Sequence, residues 1–246
     1  MDPVEQRNRI RDRLIEHAKA DPDITGAAMV GSTASGGGDS WSDLDLTFGV
    51  APERGVDAVL SAWTSWVVAE FGAAVLFDLP IPGTIYRVFL FPGALQVDLS
   101  FSEQGVFGKR GPRFELLFGE PVEHPYTQID QSLPDTFGWG VHHLIRAHVC
   151  IERNLPWQAE HWIHQARDYA LTLACLRRGI EARHGKGFDK LPADVTGRFA
   201  EALARSLDEA ELRRSLTAVA RLTLEEGDGA VAAAPRVADL LAPLLG

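Results

Sequence analysis

Ala27-Ala28-Met29-Val30-Gly31-Ser32-Thr33-Ala34-Ser35-Gly36-Gly37-Gly38-Asp39-Ser40-Trp41-Ser42-Asp43-Leu44-Asp45-Leu46 reads as a short buried strand ending in Gly31-Ser32, a polar glycine-rich connection, and a second strand that opens on two aspartates. Side chains alternate across a strand, so Asp43 and Asp45 share one face while Leu44 and Leu46 enter the core on the other. At roughly 7 Å between Cα atoms two unpaired carboxylates repel, and a divalent cation is their natural partner. A few hard oxygen ligands favour Mg²⁺, which keeps waters and takes the rest of its shell from the phosphates of a nucleotide. At the other end of the stretch, Gly31 lets a backbone turn approach a phosphate closely, and Ser32 adds a hydroxyl beside free N–H groups. Taken singly, Asp43 could cap a turn and Gly36-Gly37-Gly38 could be a plain linker. Together the residues describe a phosphate grip facing a metal site.

Gly31-Ser32, the glycine-rich connection and Ser42-Asp43-Leu44-Asp45-Leu46 resemble the signature of the nucleotidyltransferase fold, the superfamily of DNA polymerase beta. That resemblance implies a third carboxylate on a later strand, and Asp98 in Ala94-Leu95-Gln96-Val97-Asp98-Leu99-Ser100-Phe101 fits it, although a buried ion pair would also explain an aspartate there. One departure stands out. Many relatives carry Arg or Lys in the connection after Gly-Ser, whereas Thr33 to Ser42 has no basic residue, which leaves the source of positive charge for the phosphates open.

Working outward, 246 residues suffice for two modest domains with their own cores, and 46% hydrophobic content is that of a soluble globular chain. No apolar run is long enough to span a bilayer, and Met1-Asp2-Pro3-Val4-Glu5 lacks the regions of a signal peptide. Cys150 and Cys175 have neither disulfide nor zinc spacing, which points to a reducing cytoplasm. The net charge of −10 argues against a nucleic-acid partner, whose binding rests on Lys and Arg, and is compatible with a cationic small molecule.

Helical spacing over residues 3–20 is stopped by Asp21-Pro22-Asp23; strands follow at Ile24 to Gly31 and Leu44 to Val50, then a helix from Arg54 to Phe71 ended by Gly72. Apolar runs at Ala74 to Leu79, Ile85 to Phe91 and Leu95 to Phe101 are parted by Pro-Gly turn signals, and the last two read as a hairpin. Ser102 to Asp135 is irregular; its Lys109-Arg110 and Arg113 read first as a solvated loop, and otherwise as a basic loop that reaches a triphosphate. Beyond Pro134 the pattern is helical: Thr136 to Asn154, Trp157 to Gly179, Pro192 to Leu207, Asp208 to Glu226 and Val231 to Leu245. The expected class is therefore α+β, a nucleotidyltransferase domain of mixed sheet and flanking helices over 1–125 followed by a helical bundle over 126–246, with a cleft between the lobes.

Trp162-Ile163-His164-Gln165-Ala166-Arg167-Asp168 and Ala174-Cys175-Leu176-Arg177-Arg178-Gly179 resemble the helical second domain of bacterial aminoglycoside and lincosamide nucleotidyltransferases. In those relatives a Lys of the helical domain contacts the triphosphate, which makes Lys186, in a glycine-rich basic loop, the candidate for the missing charge. The function implied is transfer of a nucleoside monophosphate, AMP from ATP, onto a hydroxyl of a small acceptor such as an aminoglycoside- or lincosamide-like antibiotic. Asp43, Asp45 and Asp98 would hold two Mg²⁺ ions and Gly31 and Ser32 the phosphates, with Asp98, Glu160 or Glu152 as base. Glu152 and Glu160, with Trp139 and Trp157, would suit an amino sugar through charge and stacking. The alternatives are a protein or toxin–antitoxin type nucleotidyltransferase, and a non-catalytic nucleotide-binding module of the same fold.

Overall fold

The computed structural model describes residues 2–36, 39–111, 113–123 and 131–245. Contacts divide the chain into two compact units, Met1–Gln128 and Ile129–Gly246. The expected boundary between 125 and 126, like Gly37 and Gly38 of the glycine-rich connection, lies outside the described residues. The class is α+β, with helices alone following the sheet in sequence.

The first unit begins with α1 (Pro3–Ala20), whose N-terminus is fixed by Asp2, which accepts a hydrogen bond from the Val4 N–H at 3.3 Å, and by proline in the first turn. β1 (Ile24–Val30) runs into a 3₁₀ turn over Gly31–Gly36, and β2 (Leu44–Val50) follows. α2 (Val56–Phe71) ends where Gly72 turns left-handed at φ 65° and returns its N–H to the Val68 carbonyl. β3 (Ala74–Ile81), β4 (Thr84–Phe91), β5 (Leu95–Glu103) and β6 (Phe114–Phe118) complete one six-stranded sheet in the order β3-β4-β5-β2-β1-β6.

All neighbours in that sheet are antiparallel except β2 and β5, which run parallel and pair Leu44 with Val97, Asp45 with Asp98 and Leu46 with Leu99. The alternation set by sequence then sorts the two strands together. Leu44, Leu46, Phe48, Val97, Leu99 and Phe101 are almost wholly buried in one cluster with Leu14 of α1 and Trp63 of α2. The Trp63 ring lies 4.7 Å from Phe48 and 5.3 Å from Phe101, so aromatic packing fixes the helical layer to the centre of the sheet. Asp45, Thr47, Asp98 and Ser100 are left on the other face. There the Phe107 ring lies close over Gly26 and Gly49, where a side chain would meet it, and this covers the part of that face remote from the aspartates.

One expectation needs correction in this unit. Phe114–Phe118, within a stretch read as irregular, is an edge strand on β1; Gly119, at φ 86°, turns the chain away with its Cα against the backbone of Thr25 and Gly26. β3 forms the opposite edge of the sheet, with Leu76, Phe77 and Leu79 about half exposed. Pro80 removes one edge donor, and Asp78 is held by a two-pronged ion pair with Arg87 at 2.7 and 2.6 Å.

The second unit comprises α3 (Leu133–Glu152), α4 (Pro156–Arg177), α5 (Ala193–Glu201), α6 (Glu209–Gly227) and α7 (Ala234–Leu245). Ala159, Ala166, Ala170 and Ala174 give α4 a narrow buried face that packs in one core with Leu144, Ile163, Leu216 and Val219. α5 is shorter than the helix expected to Leu207. Carbonyls of Glu201, Ala202 and Leu203 accept bonds from Arg214 and Ser215 of α6, so the chain leaves the helix where those side chains bind it. Both cysteines are buried and reduced, and no helix is long and apolar enough to cross a membrane among the described residues.

Candidate functional site

β2 and β5 lie side by side in register, so Asp45 and Asp98 occupy paired positions on the same face of the sheet, and Asp43 enters from the residue before Leu44. One carboxylate oxygen from each of Asp43, Asp45 and Asp98 lies within 4.8 Å of the others. This trio is the group of potential metal-ligating side chains found among the described residues. All three are half-buried, and no described ion pair reaches Asp43 or Asp98.

Burial raises the Asp98 carboxyl above the ordinary aspartate range, the nearby Asp43 charge adds to that rise, and a 3.0 Å hydrogen bond from Gln96 to Oδ1 opposes it. The trio is therefore an arrangement of like charges held together by the sheet, and its oxygen-only donor set fits a hard divalent cation such as Mg²⁺.

A carboxyl that takes up protons more readily folded than unfolded lowers stability as pH rises through its folded pKa, and that loss persists at neutral pH. Asp98→Asn, which keeps the shape and can still accept from Gln96, should raise the thermal midpoint of the metal-free protein at neutral pH. The gain should vanish near the unfolded aspartate pKa of about 4. An unchanged or lowered midpoint at pH 7 by calorimetry contradicts this account of the site.

Gly31, the first residue after β1, closes the trio. Its φ of 71° suits glycine, and a methyl group on it would overlap Asp45 Oδ2, so the backbone lies directly against that carboxylate. Ser32 and Thr33 follow in the first turn of the 3₁₀ segment.

The remaining candidates belong to the second unit. Glu152 is paired with Arg213 at 2.8 Å and lies 3.8 Å from His148; the Arg213 hydrogen bond and charge hold its carboxyl below the usual glutamate range. Glu160 is half-buried on α4, and Lys186 is exposed beside a short 3₁₀ turn. Trp139 and Trp157 are exposed. Of the basic loop, Arg110 donates to Thr84 Oγ1 at 3.1 Å on the first unit's sheet.

Sequence reasoning missed Arg7. It reads as one charge among many on α1, yet it is buried and its Nη1 donates to the carbonyls of Asp39 at 2.5 Å and Ser42 at 2.9 Å, in the connection that delivers Asp43.

No protein-family model and no curated protein matches the chain. Among solved structures, the chain is similar to an aminoglycoside 6-adenyltransferase from Bacillus subtilis at 12% identity and TM-score 0.37, over 94% of this chain and 90% of that one. It is also similar to a nucleotidyltransferase-like protein from Exiguobacterium sibiricum 255-15 at 14% identity and TM-score 0.39, over 91% of this chain and 77% of that one.

Proposed function

We propose that the protein is a Mg²⁺-dependent nucleotidyltransferase that moves AMP from ATP onto a hydroxyl of a small acceptor, of the aminoglycoside or lincosamide kind, and releases pyrophosphate. The observation that carries this reading is the convergence of Asp43, Asp45 and Asp98 from two adjacent strands, with Gly31 against the central carboxylate.

Asp43, Asp45 and Asp98 would hold the metal, as a pair of ions with Asp98 on the second. Bound Mg²⁺ supplies charge neutralisation to the triphosphate and acidifies the acceptor hydroxyl. The acceptor oxygen bonds to the α-phosphorus while the bond from that phosphorus to the oxygen bridging the β-phosphate breaks. The hydroxyl proton passes to a carboxylate. Asp98, which lies in the trio with Gln96 donating to its Oδ1, is one candidate to take it. Glu160 and Glu152 are the other candidates, the latter requiring exchange of its Arg213 partner. Backbone N–H groups after Gly31, with the Ser32 hydroxyl, would grip the departing phosphates, and Lys186 is the proposed cation for them. In the acceptor, amino groups would meet Glu152 and Glu160.

The test is pyrophosphate release from ATP and Mg²⁺ across amino sugars, lincosamides and protein acceptors. Release with a small hydroxylated amine supports the reading, and release with proteins alone moves the acceptor to that class. Nucleotide binding without release for any acceptor favours the non-catalytic module, the reading that the absence of basic residues from Thr33 to Ser42 suggests.

A further inference from the structure

Arg7 sits on the face of α1 that is otherwise apolar, among Ile10, Leu14 and Ala18, and is itself only 7% exposed. A guanidinium so buried is ordinarily matched by a carboxylate, but no ion pair to Arg7 occurs among the described residues. Its polar partners among them are two backbone carbonyls, both reached from Nη1: Asp39 at 2.5 Å and Ser42 at 2.9 Å.

Those carbonyls mark the two ends of one tight turn. Asp39 Oδ1 accepts from the Trp41 N–H at 2.9 Å and the Ser42 hydroxyl at 3.0 Å; the Asp39 N–H in turn donates to Ser42 Oγ at 3.0 Å. The turn is thus closed on itself, and Arg7 attaches it to α1 as one body. The Ser42 carbonyl belongs to the peptide that joins Ser42 to Asp43, so the grip fixes the plane from which the Asp43 side chain departs. A cavity of about 230 Å³ lined by Arg7, Asn8, Thr33 and Leu44 lies beside this attachment, between α1 and the start of the 3₁₀ turn and β2.

We infer that Arg7 is a positioning residue for the metal-ligating trio, acting through the Asp39–Ser42 turn to set Asp43 against Asp45 and Asp98. The inference rests on the proposed function in that it assumes the trio takes a divalent cation. Partners that orient metal ligands typically change affinity about 10- to 100-fold when removed.

The experiment is Mn²⁺ binding to the full chain, read by calorimetry and by the electron paramagnetic resonance of free Mn²⁺, in the wild type, Arg7→Met, Arg7→Lys, Leu14→Ala and Asp45→Asn. Arg7→Met should weaken Mn²⁺ binding at least about tenfold under conditions where circular dichroism shows it folded. Arg7→Lys should recover part of the loss, because both carbonyls accept from a single nitrogen and one ammonium can serve both. Leu14→Ala removes core volume from the same helix without touching the turn, and should lower the unfolding midpoint while leaving Mn²⁺ affinity within twofold of wild type. If Arg7→Met keeps wild-type affinity, or if Leu14→Ala weakens binding as much, the positioning role is overturned and Arg7 is merely structural. If the wild type binds Mn²⁺ no better than Asp45→Asn, the metal site itself fails and the inference falls with it.

Discussion

Asp45→Asn should reduce nucleotidyl transfer about a thousandfold, the equivalent of about 4 kcal/mol of transition-state stabilisation. Asp45 is the central member of the trio: paired with Asp98 across β2 and β5, two residues from Asp43, and in contact with the Gly31 backbone. Asparagine has nearly the same shape, so the strand register and the buried Leu44–Leu46 face are undisturbed and no core volume is lost. What changes is one negative charge at the point where three carboxylates meet. The variant should retain the wild-type circular dichroism spectrum. Asp43→Ala should behave similarly in transfer. A rate for Asp45→Asn within tenfold of wild type, measured as pyrophosphate release at saturating ATP and Mg²⁺, would remove the trio from the chemistry.

The residues that carry this prediction were legible in the sequence for a physical reason. β2 is buried on one face only where it bears aspartates, so its alternation reads directly, and the strand occurs over Leu44–Val50 as the pattern predicts. Asp98 came from the resemblance, which implies a third carboxylate on a later strand, and alternation gave only its face, with Val97 and Leu99 buried on either side of it. Elsewhere the determining contacts are distant in sequence. Nothing in the periodicity of α1 tells Arg7 from Arg9 or Arg11, because its burial depends on a turn more than thirty residues away. The apolar run of β3 looks like any buried strand, and only sheet order makes it an edge. β6 is five residues long between basic and glycine-rich segments, too short for alternation to stand out. The end of α5 is set by side chains of α6.

Gly31→Ala separates the geometry of the trio from its charge. Two effects act at this position: a left-handed backbone, which costs an L-residue about 1–2 kcal/mol, and a methyl group placed on Asp45 Oδ2. Gly72, at φ 65° with nothing within 4 Å of the place a methyl group would take, carries the first effect without the second. Gly72→Ala should therefore lower stability by about 1 kcal/mol and leave transfer unchanged. In Gly31→Ala the carboxylate is the group that yields, since a side-chain end rotates more cheaply than a strand moves. Stability should then fall by an amount close to that of Gly72→Ala. Transfer should fall about a hundredfold, the scale expected when a reacting constellation is displaced by roughly 1 Å. Metal affinity should fall with it, because Asp45 no longer points where Asp43 and Asp98 converge. If Gly31→Ala loses stability alone, with Mn²⁺ affinity and transfer rate equal to those of Gly72→Ala, then the contact between the glycine backbone and Asp45 has no part in aligning the ligands, and the tight turn before β2 serves only to reverse the chain.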